Sequence, residues 1–104
     1  MAENFGDFDP QATRAINRIS RETHHVSWTR HSRQEMENDE FDDKDVLTCL
    51  RKGDAHGPEL VRGELRYNVL HRGLHTRVVV GVPNGAELAA LERITVVTVM
   101  RIRP

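Results

Sequence analysis

Apolar residues recur at two different periods along this chain, and the change falls at Gly53. Before that glycine the spacing is helical. Ala12, Ala15, Ile16 and Ile19 stand at i, i+3, i+4 and i+7, one stripe of a helix. Asp9 reads as its N-cap and Pro10 as its first helical residue. Arg14, Arg18 and Arg21 form a second stripe, and the helix is expected to end near residues 22–24. Its apolar stripe is narrow, so it must dock on the domain body or on a second copy of the chain. Residues 26–28 predict a short strand. Thr29 or Ser32 then caps a second short helix, with Ser32 and Glu35 spaced as a capping box and Met36 as the main apolar residue.

The third helix carries the clearest local signals. Asp42 is its N-cap, and Phe41 is set to staple onto Val46. Asp43 and Asp45 lie in the first turn, where the helix dipole favours anions. Val46, Leu47, Cys49 and Leu50 make the buried stripe, and Gly53 is expected as a left-handed stop.

Beyond Gly53 the period is two. Leu65, Tyr67 and Val69 alternate with Glu64, Arg66 and Asn68, which predicts a strand. A turn at Arg72-Gly73 leads to a second alternating face, Leu74, Thr76, Val78, Val80 and Val82. Pro83, Asn84 and Gly85 end it, and residues 86–92 read as a helical or looped insertion. Residues 94–102 form the last strand. Val96, Val97, Val99 and Met100 suggest that both its faces are partly covered, as in a central strand. The fold class is therefore α+β, helices in front and an antiparallel sheet behind.

Composition narrows the picture. The 104 residues make one domain. The chain is 38% hydrophobic and 30% charged, hence globular. Its single cysteine excludes an intramolecular disulfide and a cysteine-built zinc cage, which suits a cytoplasmic setting. No apolar run approaches a membrane span, and the acidic N-terminus is not a signal peptide, so no membrane partner is expected. The net charge of −1 hides an asymmetry: residues 1–59 hold 8 Lys/Arg against 13 Asp/Glu, whereas residues 60–104 hold 7 Arg against 3 Glu. Every base in the second part is arginine, whose planar fork suits phosphate or carboxylate.

Trp28, His31, Arg33 and Met36, then Phe41, Asp45, Val46, Leu47 and Gly53, then Arg66, Tyr67 and Val69, with the valines of 78–82 and the run from Ile94 to Thr98, resemble the bacterial domain of unknown function 4258. The resemblance spans about residues 26–103, which divides the chain into an N-terminal tail and extra helix (1–25) and a core domain (26–104). That family looks like a member of the RelE/ParE toxin-like superfamily. The resemblance implies two helices packed on a twisted antiparallel sheet of about four strands. It also implies activities that range from ribonucleases to gyrase poisons and domains with no known activity. One position departs from the family: Glu35 stands where arginine often precedes the methionine, and a carboxylate there opposes phosphate binding.

Candidate chemistry follows from residue types. A neutral imidazole near a helix N-terminus, His31, can act as a general base. Arg66, Arg77 and Arg101 each fall out of phase with an apolar strand face and are expected to share one sheet face, with His75 near its rim. Such a cluster would clamp a phosphate. Tyr67 would stack on or orient a base. His71 and His75 flank a predicted turn, so their spacing loses its metal-binding meaning, and neither a metal nor a cofactor is expected. Together with the resemblance, these residues suggest a toxin-like metal-free ribonuclease or an RNA- or ribosome-binding relative, with His31, Arg66 and His75 catalytic and Tyr67, Arg77 and Arg101 holding RNA. An antitoxin protein is the matching partner. The alternative is a non-enzymatic interaction module that binds a partner through the sheet or dimerises through the N-terminal helix. The acidic front half and the pI of about 6.6 favour that alternative.

Overall fold

The computed structural model describes residues 4–102 of the chain. Along it run α1 (Pro10–Ile19), β1 (Val26–Trp28), α2 (Arg30–Asn38), α3 (Asp43–Lys52), β2 (Asp54–Val61), β3 (Glu64–His71), β4 (Thr76–Pro83) and β5 (Ile94–Arg101). The strands form one sheet in the order β1-β5-β4-β3-β2. Strands β2 to β5 are an antiparallel meander, and β1 pairs parallel to β5 through Val26↔Ile94 and Trp28↔Val96.

The sheet is thus five-stranded and mixed, not four-stranded and antiparallel. The added strand is β2, whose alternation is interrupted by Gly57 and Pro58. Proline cannot donate to a ladder and is tolerated on an edge strand, which β2 is. The parallel pair arises because α2, α3 and the meander together form a long crossover between β1 and β5. The two adjacent valines of β5 have a related explanation. Val80 faces Val96 but Val79 faces Thr98, so Val97 is the extra residue of a bulge. The bulge, more than burial on both faces, accounts for the broken alternation.

The helices form where capping chemistry starts them. Asp9 accepts from Ala12 N at 2.9 Å, with Pro10 at the first helical position. Asp42 and Asp45 make a reciprocal capping box at α3. In α2 the cap is Thr29, which accepts from Ser32 N, while the Ser32 hydroxyl donates back to Thr29 O. Helix α1 stops at Ile19, a few residues before the expected end. Gly53 follows α3 in an extended conformation, φ −84° and ψ 171°, not a left-handed one. Glycine is needed there for space: a Cβ would stand 2.5 Å from Cys49 O and 2.8 Å from Leu70 O.

Alternation divides the sheet into two faces. Ala55, Tyr67, Val69, Val78, Val80, Val82, Ile94, Val96 and Val99 point to one side and pack with the stripes of α1 and α3, with Met36 and with Phe41. The stripe of α1 docks on this same core, with Ala12, Ala15, Ile16 and Ile19 all buried. Of the two docking partners expected for the α1 stripe, the chain's own body takes it.

Glu35 has a structural task. Strand β1 is three residues long and flanks β5 only as far as Val96, which leaves the rest of that edge without a strand partner. Helix α2 lies along it, and Glu35 Oε1 accepts the Val99 N–H at 3.1 Å. The carboxylate takes the place of a strand carbonyl, satisfying a backbone donor that would otherwise go unpaired. The Ser32–Glu35 capping box therefore does not form.

Candidate functional site

The face of the sheet away from the helices carries the polar half of the alternation. Pairing sets Glu59, Arg66, Gly81 and Thr95 in one row across β2, β3, β4 and β5. His56, Asn68, Val79 and Thr98 make the neighbouring row, and Asp54, Leu70, Arg77 and Met100 the next. Arg66 and Arg77 thus share this open face. Their backbones stand two rows apart, ~13 Å along the strands. The Arg77 side chain narrows that gap: its Nε donates to Asn68 Oδ1 at 2.8 Å.

At the end near the β2–β3 turn the row opens into a hollow of about 550 Å³, floored by Gly81 and Thr95 and rimmed by Arg62, Glu64, Glu92 and Arg93. The carboxylate of Glu64 lies directly over Gly81, where a Cβ would meet it at 2.5 Å. Arg66 Nε donates to Glu64 Oε1 at 3.1 Å, with both side chains about one-third exposed. Here a carboxylate is fixed by a guanidinium and still open to solvent, with two further arginines at the rim. Such a set can hold an anionic oxygen and can accept a proton beside it.

The turn that carries Arg62 adds an unusual feature. Arg62 and Gly63 join β2 to β3 as a two-residue loop with φ of 52° and 80°. Positive φ at both central residues is the I′ pattern, which favours Asn-Gly or Gly-Gly. A bulky side chain in the left-handed region costs on the order of 1 kcal/mol. Strain of that kind clusters at functional positions, and here it presents a cation to the hollow.

The other residues singled out by sequence scatter. Arg101 points to the helix side of the sheet, because it pairs with Thr76 while Arg77 pairs with Met100. It donates to Asp39 O at 2.9 Å and stacks 4.3 Å above the Phe41 ring, tying β5 to the α2–α3 loop. The expected three-arginine face is corrected by this register. Tyr67 is 3% exposed in the core, its hydroxyl pKa raised by burial and by the nearby Asp9 carboxylate, so it cannot stack on a base from outside. His75 sits in a left-handed conformation just before β4. Gly81 lies six positions further along, ~20 Å of strand. His31 is 67% exposed on α2, its Nε2 3.4 Å from Glu35, beyond β5 and two strands from β3. The structure brings neither histidine to Arg66. Cys49 is a core residue: its thiol is pushed up to about 12 by burial, and its Sγ donates to Val69 O.

Sequence reasoning missed Glu64, Arg62 and Arg93. Glu64 was legible only as the polar partner of Leu65. Its significance lies in Gly81, fifteen or more residues away, and depends on strand register. The Arg62-Gly63 pair was a usable turn signal between two alternating runs.

The segment before α1 also reaches this face. Asp9 N donates to Ala55 O, Gly57 N donates to Asp7 O, and Phe8 bridges to His56, so the segment adds to the β2 edge. Phe5 then folds over the face itself. Its carbonyl accepts from Asn68 Nδ2 at 3.3 Å, and the Arg77 guanidinium lies 5.0 Å from its ring centroid.

Among the described residues no group of three or more His, Cys, Asp or Glu side chains is arranged to hold a metal ion, and no helix is long and apolar enough to cross a membrane. No protein-family model, no curated protein and no solved structure matches this chain.

Proposed function

We propose that this protein engages RNA on the open face of its sheet and cleaves it without a metal, as a toxin-like ribonuclease of the RelE-like kind that the sequence resembles. The observation that carries the reading is the Glu64 carboxylate over Gly81, held by Arg66 and open to a hollow rimmed by Arg62 and Arg93. In this reading Glu64 takes the proton of a ribose 2′-hydroxyl. The freed oxygen bonds to the adjacent phosphorus, the bond from phosphorus to the 5′-oxygen breaks, and that oxygen takes a proton from water. The products are a 2′,3′-cyclic phosphate and a 5′-hydroxyl. Arg66, with Arg62 and Arg93, opposes the charge that builds on the phosphoryl oxygens. The histidine roles expected from sequence pass to Glu64, since neither His31 nor His75 neighbours Arg66.

The test is a labelled RNA oligonucleotide and its copy with a single 2′-deoxy position, incubated with the purified chain at 0.15 M salt. The expected result is cleavage of the RNA alone, reduced about 100-fold or more by Glu64→Gln. Arg66→Ala and Arg62→Gly should weaken binding, with Arg62→Gly slightly raising stability. RNA that is neither bound nor cut, or binding indifferent to Arg66 and Arg62, refutes the reading.

A second reading draws on a different observation. Leu60 is 60% exposed on β2, the sheet's edge strand. Beyond the stretch at 55–57 that residues 7–9 already cover, an open edge with an exposed leucine invites another strand, from a second copy or an antitoxin segment. Sedimentation velocity distinguishes self-association: a dimer that Leu60→Lys converts to monomer supports it, and a monomeric wild type rules it out.

A further inference from the structure

Beside the hollow just described lies a second, smaller one of about 160 Å³, lined by Phe5, Gly6, Gly57, Pro58, Glu59 and Asn68, among others. At ~30 Å³ per water it holds about five waters, or one planar heterocycle. We propose that it is a nucleobase subsite with a preference for guanine, adjoining the phosphate site. The inference rests on the RNA reading above and adds to it the base that is read.

Three observations support the assignment. First, the subsite is contiguous with Arg66. Glu59 is the direct β-pair partner of Arg66 on the same open face, and a Cβ on Gly57 would stand 3.1 Å from the Arg66 backbone oxygen. A nucleotide with its phosphate at Arg66 would set its base toward β2.

Second, the walls suit a flat ring. Phe5 supplies an aromatic face, held by its carbonyl to Asn68 and by the Arg77 guanidinium on its ring. Bare backbone makes up part of the lining. Gly6 and Gly57 cross so closely that a Cβ on Gly6 would stand 3.1 Å from Gly57 Cα, and both have positive φ. An aromatic ring and bare glycine backbone in one small hollow suit a flat ring, and stacking on aromatic rings is how single-stranded bases are commonly held.

Third, the charged group of the lining is a carboxylate. Asn68 already gives one amide hydrogen to Phe5 O and its Oδ1 accepts from Arg77, while Asn4 Oδ1 accepts from Gly6 N. Glu59 is exposed and makes no ion pair or side-chain hydrogen bond among the described residues. An ionised carboxylate only accepts. Guanine presents two adjacent donors, N1–H and the N2 amino group, to two carboxylate oxygens. Adenine and cytosine present one amino donor beside an acceptor, and uracil one donor between two carbonyls. The expected order is guanine, then adenine and cytosine, then uracil.

The probes are fluorescein-labelled pentauridylates carrying one central guanosine, adenosine, cytidine or uridine, titrated with the full chain and read by anisotropy at 0.15 M salt. The guanosine probe should bind about fivefold or more tighter than the uridine probe. Glu59→Gln should abolish that preference while leaving the uridine probe's affinity within about twofold. Phe5→Leu, which keeps apolar bulk but loses the stacking face, should weaken all four probes about fivefold or more. Glu59 is exposed and Phe5 half-buried, and thermal unfolding checks that each variant folds as wild type does. Uniform affinity for the four probes overturns the guanine subsite and leaves the phosphate reading standing. So does a Phe5→Leu variant that binds as well as wild type or better, which would make Phe5 a cover and not a platform. No binding of any probe overturns both readings.

Discussion

Replacing Gly81 with alanine isolates the geometry on which the phosphate reading depends. An ideal Cβ at this position would lie 2.5 Å from Glu64 Cδ and Oε1 and 2.7 Å from Oε2. No real Cβ contact is that short, so something must move, and the mobile party is the end of the Glu64 side chain. Two stability effects then oppose each other. Alanine in a strand interior gains about 0.5–1 kcal/mol over glycine, mainly by restricting the unfolded chain. Displacing Glu64 loosens its pair with Arg66, and a pair this open to solvent is worth about 0–1 kcal/mol. The net change in folding free energy should stay within about 1 kcal/mol, which for a domain of this size is a Tm shift of no more than about 6 °C. Function should respond far more strongly. Misplacing a reacting group by ~1 Å costs on the order of 100-fold in rate. The assay is thermal unfolding beside RNA cleavage, with Gly81→Ala, Glu64→Ala and the double variant compared. If the clash acts through Glu64, adding Gly81→Ala to Glu64→Ala removes little further activity. Wild-type cleavage in Gly81→Ala would refute the argument, because the carboxylate would then not need its seat over the glycine. Loss of the fold would refute it too, since that would mean the carboxylate cannot yield.

Two further predictions concern the scaffold. Glu35→Ala removes the acceptor for Val99 N–H on the β5 edge, and an unpaired, part-buried amide costs about 1–3 kcal/mol; urea unfolding should show that loss, with Glu35→Gln much milder because its amide oxygen still accepts, and equal midpoints for all three proteins would sink the edge-pairing account. Cys49 is raised from 9.0 to about 12 by burial, so the unfolded chain sheds its thiol proton first, and stability should fall by about 1.4 kcal/mol per pH unit across that window, beginning near pH 9 and not below it. Cys49→Ala should lack this component, so the stability gap between wild type and variant should narrow from pH 7 to pH 10.5; a gap that stays constant contradicts it.

Local chemistry made much of the scaffold legible. Asp9-Pro10, Thr29 and Asp42 start their helices because capping is a matter of a few adjacent residues. The alternation of β3 and β4 separated a core face from an open face without reference to any neighbour. What the sequence concealed were facts of register. β2 was hidden by Gly57 and Pro58, which break its pattern but do no harm on an edge. The bulge at Val97 made a run of valines look doubly buried. The parallel pairing of β1 depends on a strand some seventy residues distant, and no local signal carries that. The same limit governed the site. Whether Arg66, Arg77 and Arg101 share a face depends on which residue pairs with which, and one step of phase put Arg101 among the helices.

Register also turns the charge asymmetry of the sequence into an asymmetry of the fold. The acidic run from Glu35 to Asp45 lies on the α2–α3 segment, where its members have local tasks. Glu35 takes the β5 edge, Asp42 and Asp45 cap α3, Asp43 pairs with Arg33, and the Asp39 carbonyl receives Arg101. This segment packs on the β5 edge and the helix side of the sheet. Arg66 and Arg77 project from the opposite side, with Arg62 and Arg93 at the rim of the hollow, and the carboxylates there sit at defined points: Glu64 over Gly81, Glu59 across from Arg66, Asp54 in the row of Arg77 and Glu92 at the rim. The arginines of this side are thus interleaved with carboxylates, and its cationic character is local to each arginine. A polyanion is steered by such a face only at close range, since local fields fade beyond a Debye length of ~8 Å at physiological salt. On this side of the sheet the proposed roles of proton acceptor and reader of base edges fall to Glu64, which Arg66 holds and leaves part-exposed, and to Glu59, which is exposed.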